Sequence, residues 1–259
     1  MKLSPEKTYL FFDFDGTLYC DGKVNEETLK SLRYAKEKGC KLYLNTGRTK
    51  GHILREYDIL KSLDLDGFLC AGCAIYMGTG CEKTIYETVL PKEEIESLIR
   101  FSCDKSYWFT IETIESIHTC KIYGEIVYTK DELEVFYRDI LETIKDENAV
   151  KISIFPPRGK TDDSIVKIFD KYDWVVYPHL YELYHKGQNK GSILDKFREV
   201  VGAKDSVFVA FGDSENDVDF FKHADIAVAM SHAPKILTDL ADFKATTPNG
   251  VAEMIYKLI

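Results

Sequence analysis

Tyr9-Leu10-Phe11-Phe12-Asp13-Phe14-Asp15-Gly16-Thr17-Leu18 is the stretch on which the fold turns. A short apolar, aromatic run of the kind a buried strand needs stops at two carboxylates one residue apart. Gly16 and Thr17 then end the strand. Period-two alternation predicts Asp13 and Asp15 on one side, with Phe14 facing away. Two carboxylates that close repel each other, and a folded chain keeps them only with a proton or a cation between them. Such a pair suits a site that holds a metal, offers a nucleophile and keeps an acid at hand. The plainer alternative is a strand end entering an Asp-Gly turn with both acids solvated, and the rest of the chain decides between the two.

The chain has 259 residues and is 45% hydrophobic, enough for one large or two modest domains with a full core. A formal net charge of -9 and the lack of any Lys/Arg-rich run argue against nucleic acid and anionic membrane surfaces as partners. No stretch approaches a membrane span, and Met1-Lys2-Leu3-Ser4-Pro5-Glu6-Lys7 lacks the apolar core of a signal peptide. A cytoplasmic location is therefore expected, and seven cysteines, an odd number, fit reduced thiols there. Cys70-Ala71-Gly72-Cys73 is a CxxC without a second pair at that spacing, so it reads as coincidence rather than a zinc or redox site. No feature calls for an obligate protein partner.

Asn25-Glu26-Glu27-Thr28 caps a helix with Leu29, Leu32 and Ala35 on one face, ended by Gly39. Lys41-Leu42-Tyr43-Leu44 is a strand running into Asn45-Thr46-Gly47-Arg48, followed by a helix over about 50–62 and a strand from Gly67. This alternation predicts a parallel sheet with helices on both faces. Near residue 83 the rhythm changes. Strands are expected at Thr84–Val89, Tyr107–Glu112, Ser116–Tyr128, Lys151–Phe155, Trp174–Tyr177 and Tyr181–Tyr184, with helices at about 91–103, 131–145 and 161–171. From Asn189 the first rhythm returns, with a strand over Ser206–Phe211, another over Ile226–Met230 and a closing helix. The expected organisation is a Rossmann-like α/β core over 1–81 and 187–259, with an α+β unit inserted over 82–186.

Asp13/Asp15, Thr46, Lys190 and Asp213/Asp217 fall at strand ends or helix starts, where open α/β sheets bind ligands. Four or more acids, a hydroxyl and an ammonium, with no soft ligand, suit a magnesium ion and a phosphoryl group.

In these motifs the chain resembles the haloacid dehalogenase superfamily, and within it the Cof-type phosphatases with a large α/β cap. Asp13-Phe14-Asp15-Gly16-Thr17-Leu18 matches the first motif, Leu44-Asn45-Thr46-Gly47-Arg48 the second, Asn189-Lys190-Gly191 the third and Gly212-Asp213-Ser214-Glu215-Asn216-Asp217 the fourth. Ala224–Met230 and Asn249-Gly250-Val251-Ala252 are similar too. The resemblance implies a Mg2+-dependent phosphatase acting on a small phosphorylated metabolite, foremost a sugar phosphate. It makes Asp13 the nucleophile and Asp15 the acid and base, kept protonated by neighbouring anions. Thr46, Gly47, Arg48, Lys190 and Asn216 surround the phosphoryl group, and the metal is assigned to Asp13, Asp15 (through its carbonyl), Asp213 and Asp217. The inserted unit becomes a cap that selects the substrate, with Tyr107, Trp108, Tyr123, Trp174, Tyr177, Tyr181, Tyr184, Arg158, His179 and His185 as candidates, most of the aromatics being core. His52, beside the second motif, is expected in a packing or surface role. A phosphomutase shares these motifs, and a binding protein that keeps the fold without catalysis is the remaining alternative. Two segments depart from the pattern, Cys70-Ala71-Gly72-Cys73-Ala74 after the third core strand and Ser231-His232-Ala233 after Met230.

Overall fold

The computed structural model describes residues 2–105, 107–114, 116–120, 138–156 and 164–259. In chain order come β1 (Thr8–Phe12), a small hairpin of β2 (Tyr19–Cys20) and β3 (Lys23–Val24), α1 (Glu26–Glu37) and β4 (Lys41–Thr46). Short helices α2 (Lys50–Ile53) and α3 (Tyr57–Leu63) lead to β5 (Gly67–Cys70), β6 (Ala74–Met77) and β7 (Lys83–Glu87). Then follow α4 (Lys92–Asp104), β8 (Trp108–Thr113), β9 (Ile117–Cys120), β10 (Ala149–Phe155), α5 (Ser164–Ile168), β11 (Asp173–Tyr177) and β12 (Leu180–Tyr184). The last elements are α6 (Lys190–Val200), β13 (Val207–Gly212), α7 (Val218–His223), β14 (Ile226–Ala229), α8 (Lys235–Thr238), β15 (Phe243–Lys244) and α9 (Gly250–Leu258).

These elements form two compact units. The first comprises Met1–Arg48, Ile53–Glu87 and Asn189–Ile259. Its eight-stranded sheet runs β15-β14-β13-β1-β4-β5-β6-β7, parallel from β15 to β5 and antiparallel over the last two pairings. A central parallel strand covered on both faces must be apolar throughout, and Leu10, Phe11 and Phe12 are fully buried. Phe11 sits opposite Ala210 on one side and Tyr43 on the other, its ring 5.4 Å from that of Tyr43. Asn25 caps α1 as the sequence implies, its side chain accepting from the Glu27 N–H at 2.8 Å. The sheet extends past the break expected at 81/82. β7 is the strand anticipated at Thr84–Val89, but the turn ending at Cys81 (φ 57°) brings it back beside β6, with Tyr86 opposite Ile75.

The second unit comprises Thr49–His52 and Thr88–Gln188. Its sheet, β11-β12-β10-β8-β9, is antiparallel throughout. One face carries Ile111, Ile152, Ile154, Tyr181 and Leu183 into a core shared with Ile95, Leu98 and Ile99 of α4. The alternate residues, Glu112, Lys151, Ser153 and Glu182, share the other face. Tyr107 and Tyr181 are core, Trp174 packs against it, and Trp108 and Tyr177 are exposed. Tyr123, Arg158, the expected strand beyond Cys120 and the starts of the helices expected near 131 and 161 lie outside the described residues. Among the described residues, no helix is long and apolar enough to cross a membrane.

Candidate active site

Parallel pairing of β4, β1 and β13 sets the ends of three strands side by side. Asp13 continues β1 by one rung, its N–H donating to the Phe211 carbonyl at 2.9 Å. Thr46 closes β4, and Asp213 directly follows β13. Lys190 arrives from the first turn of α6. Asn189 caps that helix, accepting from the Gly191 and Ser192 N–H groups at 2.8 and 2.9 Å, while Ser192 Oγ accepts the Asn189 N–H. Asn45 Nδ2 donates to the Lys190 carbonyl at 2.9 Å. The β5–β6 turn adds a close approach, since a Cβ on Gly72 (φ +66°) would stand 2.9 Å from the Asn189 nitrogen.

Lys190 Nζ lies 2.6 Å from Asp13 Oδ1, 2.7 Å from Asp217 Oδ1 and 3.3 Å from Asn216 Oδ1. Lys190, Asp13 and Asp217 are all buried. Burial pushes Asp13 up to about 7, with Asp217 adding to the rise and Lys190 opposing it. Burial opposes the charge on Lys190 as well, but Asp13 and Asp217 outweigh it and hold the ammonium well above its usual range. Asp213 is also raised, by partial burial first and by Asp217, against the Thr17 hydroxyl donating to Oδ1 at 2.9 Å.

One ligand oxygen from each of Asp13, Asp213 and Asp217 lies within 4.8 Å of the others. Three carboxylates and one ammonium leave a formal excess of negative charge, so the cluster fits a hard cation. The loop after β1 folds against the same place. A Cβ on Gly16 (φ +86°) would meet Asp213 Oδ2 at 2.3 Å, so only glycine lets this backbone reach the carboxylate. The pair predicted to share one side of a strand is split between partners. Asp13 meets Lys190, whereas the half-exposed Asp15 side chain takes Arg48, whose Nε and Nη2 donate to its two oxygens at 2.8 and 2.6 Å. Cationic Arg48, and not the crowd of anions expected there, is thus what engages Asp15.

Thr46 is buried, and its hydroxyl accepts the Arg48 N–H at 3.1 Å, while Gly47 stands in open space. Asp217, expected to order water around a metal, has both oxygens engaged. Oδ1 meets Lys190, and Oδ2 accepts the Asp213 and Ser214 N–H groups at 3.0 and 3.1 Å. Two residues at the cluster had no role assigned from sequence. Thr17 bonds Asp213, and His232 Nε2 lies 3.5 Å from Asp213 Oδ2. The departure Ser231-His232-Ala233 was the signal for the latter. Cys70 and Cys73 flank a hairpin turn, with Ala71 and Gly72 at φ 50° and 66°, and no disulfide joins them. In the second unit His185 Nδ1 lies 3.2 Å from the Lys186 carbonyl oxygen, and His179 is exposed.

Acids gathered around one buried lysine at the strand ends of a parallel sheet suit a hard cation and a phosphoryl group. The family model for haloacid dehalogenase-like hydrolases matches residues 10–255, and the chain belongs to that family. It is similar to YxeH of Bacillus subtilis (strain 168), a protein named only provisionally as a phosphatase, with 26% identity over 95% of this chain and 96% of that one. It is also similar to YcsE of the same organism, a 5-amino-6-(5-phospho-D-ribitylamino)uracil phosphatase, with 25% identity over 94% and 92%. The solved structure of BT4131, a subclass IIB sugar phosphatase, has the same fold at TM-score 0.73 and 22% identity, covering 96% of this chain and 98% of that one.

Proposed function

We propose that this chain is a Mg2+-dependent phosphatase that hydrolyses a small phosphorylated metabolite, foremost a sugar phosphate, through an aspartyl-phosphate on Asp13. The observation that carries the reading is the contact of Lys190 Nζ with Asp13 Oδ1 at 2.6 Å beside Asp213 and Asp217. Lys190 holds the nucleophile oxygen and supplies positive charge beside the attacked phosphorus, where a dispersed transition-state charge needs it. An Asp13 oxygen bonds to phosphorus as the ester P–O bond breaks, and the departing oxygen takes a proton from Asp15. Asp15 then removes a proton from a water whose oxygen attacks phosphorus, and the Asp13–phosphorus bond breaks to release phosphate. Arg48 donates to both Asp15 oxygens, so before acting as an acid Asp15 must release Arg48 from one of them and take up a proton there from solvent. Thr46, Gly47 and Asn216 complete the phosphoryl pocket in this reading, and Asp217 fixes Lys190 and the turn after β13.

Asp13, Asp213 and the Asp15 carbonyl would hold the ion, with Asp217 beside them, and an all-oxygen donor set favours magnesium. The ion supplies Lewis-acid polarisation of the phosphoryl oxygens and offsets the excess carboxylate charge. The second unit acts as the substrate-selecting cap. A phosphate on a polyhydroxylated carbon chain is favoured because the names of BT4131 and YcsE both indicate one. A net charge of -9 and an odd number of cysteines suit a cytoplasmic enzyme of small molecules.

A panel of phosphorylated metabolites assayed for phosphate release with and without Mg2+ tests the reading. Release from sugar or polyol phosphates that EDTA stops is expected. Release that needs a bisphosphate activator would indicate a mutase, and no release from any ester would overturn the assignment.

A further inference from the structure

Among the described residues, one buried side-chain oxygen or nitrogen has no hydrogen-bond partner, and it stands directly before Thr46: Oδ1 of Asn45. Asn45 is fully buried in β4, where Leu42, Tyr43 and Leu44 are buried too. A polar group left unpaired in the interior costs stability, so an apolar residue would suit this strand position better. What compensates lies at the other end of the amide. Asn45 Nδ2 donates to the Lys190 carbonyl at 2.9 Å.

That bond ties the first turn of α6 to β4, and both lie in the first unit. Alternation along the strand puts Asn45 on the face that carries Tyr43. The Tyr43 ring packs edge-on against Phe197 with centroids 4.6 Å apart, about two helical turns beyond Lys190. The helix thus runs back along β4, held by an aromatic contact at one end and by the Asn45 amide at the other. Apolar packing is non-directional and tolerates a slide of the helix, whereas a hydrogen bond fixes distance and angle. From this turn Lys190 Nζ has to stand 2.6 Å from Asp13 and 2.7 Å from Asp217 at once. A small slip of α6 along β4 would release one of the two.

We propose that Asn45 is a positioning residue for Lys190: its amide fixes the first turn of α6 on β4 so that one ammonium meets both carboxylates. The inference rests on the reading of Lys190 as the cation beside the reacting phosphorus.

The test is a double-mutant cycle of Asn45→Leu and Lys190→Met, read as kcat for p-nitrophenyl phosphate with Mg2+. Leucine is close to asparagine in volume, and it removes the donor and the unpaired oxygen together. Asn45→Leu should lower kcat about 10–100-fold, the scale for misplacing a catalytic group, with KM within about threefold and Tm unchanged or higher. In the Lys190→Met background the same substitution should slow turnover by no more than about twofold, because the group it positions is gone. The ammonium resonance of isotope-labelled lysine gives a readout without substrate. The Lys190 signal, identified by its loss in Lys190→Met, should shift or broaden in Asn45→Leu. Unchanged kcat, an unchanged ammonium signal, or equal slowing in both backgrounds would overturn the proposal, and Asn45→Ala keeps the test open if Asn45→Leu fails to fold. If Lys190→Met turns over as fast as the wild type, the reading of Lys190 itself fails; if it is slow and Asn45→Leu is not, only this inference falls.

Discussion

Lys190→Met removes the ammonium at the centre of the site while keeping the length of the side chain. Lys190 Nζ stands 2.6 Å from Asp13 and 2.7 Å from Asp217, both nearly inaccessible to solvent. At an effective dielectric of about 20, a contact of that length is worth about 6 kcal/mol before desolvation. Desolvation of the ammonium offsets part of that, but Met leaves Asp13 and Asp217 buried without their cation, so the net loss should be about 3–5 kcal/mol, the range for breaking a buried pair. Asp13 sets the pH dependence. It already holds its proton up to about 7 with Lys190 present, and loss of the cation raises that limit further. The folded variant therefore takes up a proton that the unfolded chain, with an ordinary carboxylate, does not bind, and its stability rises as pH falls. The deficit should be largest at alkaline pH and narrow as pH falls to about 7, below which Asp13 is neutral in both proteins and the difference levels off. The probe needs care, because Trp108 and Trp174 are the chain's two tryptophans and both lie in the second unit. Far-UV circular dichroism during urea unfolding in EDTA follows the first unit as well. Turnover should fall by about a thousandfold, the scale for losing a preorganised charge at the reacting group. A stability change under about 1 kcal/mol at pH 8 would refute the claim that Lys190 compensates two buried carboxylates.

Other perturbations reach different parts of the account. Gly16→Ala places a Cβ 2.3 Å from Asp213 Oδ2 at φ +86°, so Mg2+ affinity by calorimetry should drop by about 10–100-fold, with about 1–2 kcal/mol of backbone strain. An unchanged affinity would show that Asp213 is not a ligand. Because Asp13 is raised to about 7, the ion must displace a proton at lower pH. Apparent Mg2+ affinity should therefore fall by up to about tenfold per pH unit below 7 and level off above it, and a flat profile would count against Asp13 as a ligand. Glu112→Ala leaves Lys151 buried with Glu182 alone and should cost the second unit about 3 kcal/mol, read by tryptophan fluorescence. Burial raises Glu112, but Lys151 and His52 more than reverse it and hold the carboxyl below its usual range. Its contribution is thus present above the unfolded carboxylate value and lost as pH falls through the lowered one. Glu112→Gln should flatten that acid limb.

The sequence made the skeleton of the site legible because each motif coincides with a structural boundary. Asp13 and Thr46 stand where apolar strands stop, Asp213 follows a third, and Lys190 opens a capped helix. Parallel pairing then gathers strand ends on one edge. What stayed hidden depends on partners that spacing does not encode. Arg48 reads as a phosphate ligand from its motif, but its long side chain meets Asp15, a choice made by three-dimensional proximity. Asp217 reads as a metal acid and does join Asp13 and Asp213 in one cluster, but spacing does not show that its oxygens also meet backbone N–H groups and Lys190. Strand propensity announced β7 without saying which sheet would accept it, and the tight turn before it decided that. His52 looked like a packing residue because its acceptor, Glu112, lies sixty positions away along the chain.

The most direct measurement is of Asp13→Asn, which preserves shape and removes the nucleophilic carboxylate. Quenching wild-type turnover of a radiolabelled phosphate ester in acid should trap label on the peptide containing Asp13, whereas Asp13→Asn, folded by circular dichroism, should show neither label nor sustained phosphate release. Sustained Mg2+-dependent turnover by the folded Asp13→Asn enzyme, or label trapped on another residue, would contradict the account at its centre.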